Sequence, residues 1–393
     1  MGAVPDLSMT SSHPRYYWRI AGFYFFYFAF VGMFSPYWSL YLKSLKFDVV
    51  EIGVLMSIQP VMRMIAPAMW GWLADYLDNR RLVIQFAALC SVLAYSGVFL
   101  FKSYAGLFLV MALMSFFWSA SMPLVEATTL TYLGKHAARY GRLRSWGSVG
   151  FIIAVLGLGY LFDYISINWI LWAGLAIMLG ILVFARQIPP TEVLAHHTDS
   201  QPILRIMMQP QVLALFVACL LMAVAHGPYY TFFSIYLVEH HYSKAAVGML
   251  WSLGVICEIG VFAFMPLLMQ RFSLAHILMG SLALAVLRFL LIGWQVDTLG
   301  LLLFAQTLHA ATFGAYHASA VALIHHFFQG RHQSKGQALF GSVTYGMGGM
   351  LGGLMSGPLW LHWGASIMYS CSALAALAGL LLMFWHVRRL QLG

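Results

Sequence analysis

Twelve stretches of this chain are apolar over roughly the 20 residues that a helix needs to cross a hydrocarbon core. They fall at about 19–42, 49–73, 82–101, 105–132, 143–164, 168–187, 210–238, 246–270, 274–294, 298–327, 336–361 and 365–387. Lipid offers no water to backbone groups, so each stretch must satisfy its own N–H and C=O groups as a helix. Composition admits few other solutions. The chain is 62% hydrophobic and 8% charged, against about 25% charged in a soluble domain. So few charges do not cover a water-facing surface. The expected fold is an all-α membrane protein with twelve transmembrane helices.

The net charge of +9 reads as topology control, not as nucleic-acid affinity, because the basic residues lie between apolar runs. One set of helix ends carries fifteen of them, among them Arg15, Arg19, Arg80, Arg81, Lys135, Arg142, Arg186, Arg271, Lys335 and Arg388. The opposite ends carry Lys43, Lys46, Lys102 and Lys244. The positive-inside rule then places both termini and the central loop in the cytoplasm. Cys90, Cys219, Cys257 and Cys371 sit inside apolar runs without metal-ligand or redox spacing. The first apolar run is too long for the core of a cleavable signal peptide.

The two halves are related. Shifting the first by 195 residues puts Gly32 on Gly227, Ser39 on Ser234, Tyr41 on Tyr236, Leu42 on Leu237, Gly53 on Gly248, Leu55 on Leu250 and Ser57 on Ser252 without a gap. The division expected is an N-terminal six-helix bundle at 1–187, a cytoplasmic loop at 188–209 containing Pro189, Pro190, His196, His197 and Pro202, and a C-terminal bundle at 210–393. A parallel repeat of this kind places a substrate site between the bundles, near the bilayer midplane. The same register sets Arg63 opposite Glu258.

Ionisable residues inside spans cost about 2.5–3.5 kcal/mol each on insertion scales and so mark partners, watery cavities or function. Glu126 and Arg144, on consecutive spans, either fix a helix hairpin or line the cavity as substrate contacts. Glu258, in the middle of the eighth span, is either a proton carrier or a carboxylate permanently paired with Arg63 or Arg288; a carboxyl buried among apolar groups can hold a proton near neutral pH. Arg288 and Arg63 could each hold a carboxylate or bind a substrate anion, since arginine stays charged and presents a planar fork. His226, His309 and His317 also lie in spans, where a histidine serves as a packing residue or a titrating one. Trp38, Phe151 and Tyr229 stand near these charges in sequence or repeat register and join His226 as expected substrate contacts. In the second junction, Gly71, Asp75 and Arg80 form a candidate cytoplasmic gate loop. The sequence carries no metal-binding or hydrolase motif.

Several of these segments resemble the major facilitator superfamily. The 71–81 loop is similar to its loop motif, with Asp78 and Asn79 departing from it. Ser35-Pro36-Tyr37-Trp38-Ser39, Tyr140 to Ser148, Ala225 to Tyr230, Trp251 to Val255 and Gln306 to His309 resemble the phenylpropionate permease family, a relative of lactose permease. The resemblance implies the major facilitator fold, with two six-helix bundles about a pseudo-two-fold axis. It implies that Glu126 and Arg144 match a sugar-binding ion pair, and Glu258, Arg288 and His309 a proton-coupling set. Thr312 stands where lactose permease has a glutamate, and Phe151 where it has a tryptophan, so Glu258 becomes the leading proton carrier.

The expected function is proton-coupled symport of a small organic solute, an aromatic acid such as 3-phenylpropionate, by alternating access. Other readings are a sugar or nucleoside symporter, a drug-efflux antiporter, or a non-transporting receptor. No enzyme activity, metal or cofactor is expected, the proton gradient supplying the energy. The partners expected are the solute and membrane lipid, not nucleic acid, with a monomer acting in a bacterial inner membrane.

Overall fold

A computed structural model describes residues 14–190 and 204–390. His196, His197 and Pro202 of the expected central loop lie outside the described residues. The helices are α1 (Pro14–Ser44), α2 (Val49–Tyr76), α3 (Arg80–Ser96), α4 (Tyr104–Leu133), α5 (Tyr140–Tyr164), α6 (Ile170–Arg186), α7 (Pro210–Glu239), α8 (Lys244–Arg271), α9 (Leu274–Trp294) and α10 (Leu299–Phe327). A last run covers Gln333–His386, so among the described residues eleven helices are long and apolar enough to cross a membrane. Gly364, at φ 81 and ψ 167, breaks that run. We number its parts α11 (333–363) and α12 (365–390), which makes twelve crossings. The start of α1 and the end of α12 therefore lie on one side, called here the terminal side.

Local sequence explains the helix starts. Asp48 caps α2 in a capping box with Glu51. Asn79, Ser103, Ser243 and Ser273 cap α3, α4, α8 and α9, each accepting a bond from a backbone N–H of the first turn. Each cap is a small polar residue at the junction of two apolar runs.

Helices α1–α6 pack on one another, and α7–α12 do the same. Contact between the two bundles runs through α2 on α11, α5 on α8 and α1 on α7. The first two are equivalents under a six-helix shift, and the third relates a helix to its own repeat. The repeat glycines explain why. A Cβ on Gly53 would lie 3.0 Å from the Gly353 carbonyl oxygen of α11, and one on Gly248 would lie 2.7 Å from the Val155 carbonyl oxygen of α5. Gly32 and Gly227 make the matching approaches inside each bundle, to Phe151 of α5 and Gly352 of α11. Glycine is required at these positions because the backbones meet with no room for a side chain.

These approaches lie in the halves of the helices away from the terminal side, reaching inward to Met64 against Gly346. There Asp163 of α5 accepts bonds from the backbone N–H of Lys244 (2.7 Å) and Ala245 (3.1 Å), so a side chain of one bundle caps a helix of the other. Lys43 of α1 also pairs with Glu239 of α7. On the outer half of α8, Val247, Gly248, Leu250, Trp251, Ser252 and Gly254 are buried, whereas most residues from Val255 to Arg271 are partly or fully exposed. The bundles are closed on the far side and splayed toward the terminal side.

Candidate functional site

Three helices of the N-terminal bundle present charge toward the gap. Arg144, at the start of α5, lies 3.8 Å by its Nε from Glu126 Oε1 on α4. The side chains are about one third exposed, 34% and 38%, so the pair faces an open space and is not sealed in the hairpin. Tyr140 donates to Glu126 at 3.1 Å. The Arg144 guanidinium lies over the Phe28 ring of α1 at 3.9 Å. Arg63 of α2 sits 5.7 Å above the Trp118 ring. Among the described residues, no carboxylate lies within ion-pair distance of Arg63. This wall therefore holds two guanidinium groups and one carboxylate.

The C-terminal bundle supplies the facing wall. Glu258 of α8 lies 3.7 Å by Oε2 from His309 Nε2 of α10. Two glycines allow this approach: Gly254 lies under the His309 ring, and Gly314 lies against the Glu258 side chain. Arg144 is near enough for its charge to act on Glu258 across the gap. The carboxylate is thus paired with a histidine, and neither Arg63 nor Arg288 is its ion-pair partner.

Arg288 sits one layer deeper, with 0% exposure. It donates to Thr312 Oγ1 at 3.1 Å, and its guanidinium lies 4.3 Å from the Tyr229 ring centre. It also contacts His226 Nε2 at 3.3 Å. The His226 Nδ1 faces the Met222 carbonyl at 2.8 Å. A carbonyl can only accept and a guanidinium only donates, so His226 is neutral with its proton on Nδ1. Tyr229 completes the layer by donating to Gln306 Oε1 at 3.0 Å. Arg288, His226 and Tyr229 thus form a support behind His309, with Thr312 taking one arginine N–H.

Trp38 requires a correction. It is fully buried in the N-terminal bundle, its indole N–H pointing at Met111 Sδ (3.3 Å) and its ring stacked on Phe34. An aromatic near a functional segment is not distinguishable in sequence from one that packs. Phe151, also buried, contributes its backbone to the α1–α5 seam at Gly32. In the junction on the terminal side, Arg80 and Asp75 stand 4.0 Å apart, and Gly71 faces open space.

Sequence reading did not single out Tyr345 or Phe313. Tyr345 belongs to a π-helical segment of α11, Gly341–Gly348, and Phe313 to one of α10, Ala310–Ala315. Such segments re-aim side chains and are frequent at functional sites. His317, open in sequence to a packing or a titrating role, meets the Tyr345 hydroxyl through its Nδ1 at 2.6 Å. Phe313 has one sequence signal, the four-residue spacing His309, Phe313, His317 along one helix face, and Tyr345 has none of this kind.

Comparison with known proteins agrees with this architecture. Residues 17–371 match the MFS_1 like family. The chain is 31% identical over 371 residues to the "Probable 3-phenylpropionic acid transporter" of Escherichia coli (strain K12), covering 93% of this chain and 96% of that one. It is 25% identical over 374 residues to a maltose permease of Geobacillus stearothermophilus, covering 93% of each. Among solved structures, a mutant of the nucleoside transporter NupG superposes with a TM-score of 0.82 at 18% identity, covering 95% of this chain and 99% of that one. The repeat, the two bundles and these likenesses converge: the chain belongs to the MFS_1 like family and is a membrane transporter of the major facilitator type.

Proposed function

We propose that this transporter is a proton-coupled symporter of a small aromatic monocarboxylate such as 3-phenylpropionate. The observation that carries the reading is the charge division across the gap. The N-terminal wall has Arg63 in excess over the Glu126–Arg144 pair, which suits an incoming carboxylate. The C-terminal wall has Glu258 against His309, which suits a proton held next to the substrate. The likeness to a 3-phenylpropionic acid transporter supports the substrate class.

In this mechanism Glu126 orients Arg144, and Arg63 and Arg144 take the acid. Glu258 takes and releases the proton, His309 accepts or returns it at 3.7 Å, and the buried Arg288 fixes the histidine layer. Loaded together, the anion pairs with the guanidinium excess and the proton neutralises Glu258, so closing the gap buries no unpaired ion. The terminal side, to which the bundles open, would be the cytoplasm of a bacterium, and one chain suffices because it supplies both walls.

Proteoliposomes test this directly. Protein reconstituted with an outside-acid gradient should accumulate labelled 3-phenylpropionate, with excess uridine and maltose as competitors leaving uptake unchanged. Glu258→Gln should abolish uphill accumulation while substrate exchange persists. Uptake indifferent to the gradient, or uphill uptake retained by E258Q, would refute the coupling.

A further inference from the structure

Phe313, His317 and Tyr345 are partly exposed on the C-terminal wall, while their neighbours Thr312, Gly314, Tyr316, Thr344 and Gly346 are buried. The three form one surface. The Phe313 ring is stacked with His309 at 5.3 Å and 7°, and with His317 at 6.3 Å and 11°. His317 Nδ1 and the Tyr345 hydroxyl are 2.6 Å apart. A neutral imidazole and a phenol carry one such proton each, and a single proton fills the bond between them. Whichever group donates, one N–H or O–H is left over for a third partner.

The charges facing this pair come from the other bundle. Arg144 is near enough to act on His317, and Arg63 to act on Tyr345. Glu258 also acts on Tyr345, so the pair lies between the two charged walls. The surface thus combines a flat ring, one spare donor and, opposite it, two guanidinium groups with one carboxylate between them. A neutral solute would satisfy the donor and leave the guanidinium excess unmatched. An anion satisfies both.

Resting on the aromatic-acid reading above, we propose that His317 and Tyr345 are the C-terminal half of a carboxylate subsite. The acid's oxygens would bridge Arg63 and Arg144 on one bundle and the His317–Tyr345 donor on the other, with its aromatic body against Phe313. An acid held in this way ties the two bundles together at the splayed end, which a contact confined to one wall cannot do.

The test is calorimetric titration of purified protein with 3-phenylpropionate and with its uncharged amide. Wild type should prefer the acid. Tyr345→Phe, which removes a single oxygen, and His317→Gln should each weaken the acid about tenfold or more, the scale of a hydrogen bond to a charged group. Both should weaken the amide clearly less than the acid, since its hydrogen bond there is between neutral groups. Ligand-free melting temperatures within a few degrees of wild type would show that the variants fold. Acid affinity unchanged in both variants overturns the subsite while leaving the aromatic-acid reading intact. Parallel loss of acid and amide assigns the pair to helix packing and also overturns it. A wild type that does not bind the acid overturns the reading itself, and the subsite with it.

Discussion

Arg144 is held from two directions. Its Nε faces Glu126 at 3.8 Å, beyond ordinary hydrogen-bond length, and its plane lies over Phe28 at 3.9 Å. A planar guanidinium can stack on a ring and still aim N–H groups at a carboxylate, whereas an ammonium cannot do both. Arg144→Lys should therefore keep the fold but raise KM for transport about tenfold, near 1.4 kcal/mol, measured as initial uptake against substrate concentration. An unchanged KM would show that charge alone suffices there. Charges of this kind were legible in sequence because they interrupt apolar runs: Glu126, Arg144, Glu258 and His309 all came to the gap. Their partners were less legible. Arg288 was an equal candidate to face Glu258, but α9 turns it into the bundle, where Thr312, His226 and Tyr229 surround it. Trp38 failed as a site residue because Met111 and Phe34 enclose it, and a sequence does not say which aromatic has such neighbours.

At the scale of elements, the repeat proved to be a contact code. Gly53 and Gly248, paired by the 195-residue shift, are the points where α2 meets α11 and α8 meets α5. Gly357 belongs to the same seam: a Cβ there would lie 2.6 Å from the Val49 carbonyl oxygen and 2.8 Å from Val50 Cα. Backbone cannot yield as a flexible side chain does, so Gly357→Ala should wedge the far side open. We expect uptake to fall more than tenfold while calorimetric binding of substrate survives, and normal uptake would exclude a rigid seam. Helix positions were readable because spans of ~20 apolar residues recur along the chain. The π-helical segments of α10 and α11 were not. Gly341–Gly348 holds three glycines and Ala310–Ala315 one, but glycine content does not separate a π-helical turn from an α-helical one, and these segments carry Phe313 and Tyr345.

For the whole molecule, the closed far side and the splayed terminal side describe one state of an alternating-access cycle. Asp163 contributes to it as a cap placed across the bundles on α8. A helix N-cap is worth about 1 kcal/mol, so Asp163→Ala should shift the ratio of far-side-closed to far-side-open molecules about fivefold. Ala245→Cys, which adds one sulfur beside this cap, would report the shift as faster labelling by an impermeant thiol reagent in the D163A background. Equal labelling rates would show that the cap carries no share of the closed state. The exposed Lys43–Glu239 pair should matter less, since such pairs contribute about 0–1 kcal/mol.

The two doors of this protein also differ in what they must freeze. Fixing a buried long side chain costs up to about 2 kcal/mol in lost rotamers, and glycine has none to lose. The far-side seam is largely backbone against backbone, Gly53 on Gly353 and Gly357 on Val49, so shutting it takes little disorder from the chain. Shutting the other end would have to still longer side chains such as Arg144 and Glu126, which are about one third exposed in the gap. Entropy therefore favours the far-side-closed form in the empty protein, and a bound solute has that bias to overcome when the molecule turns over.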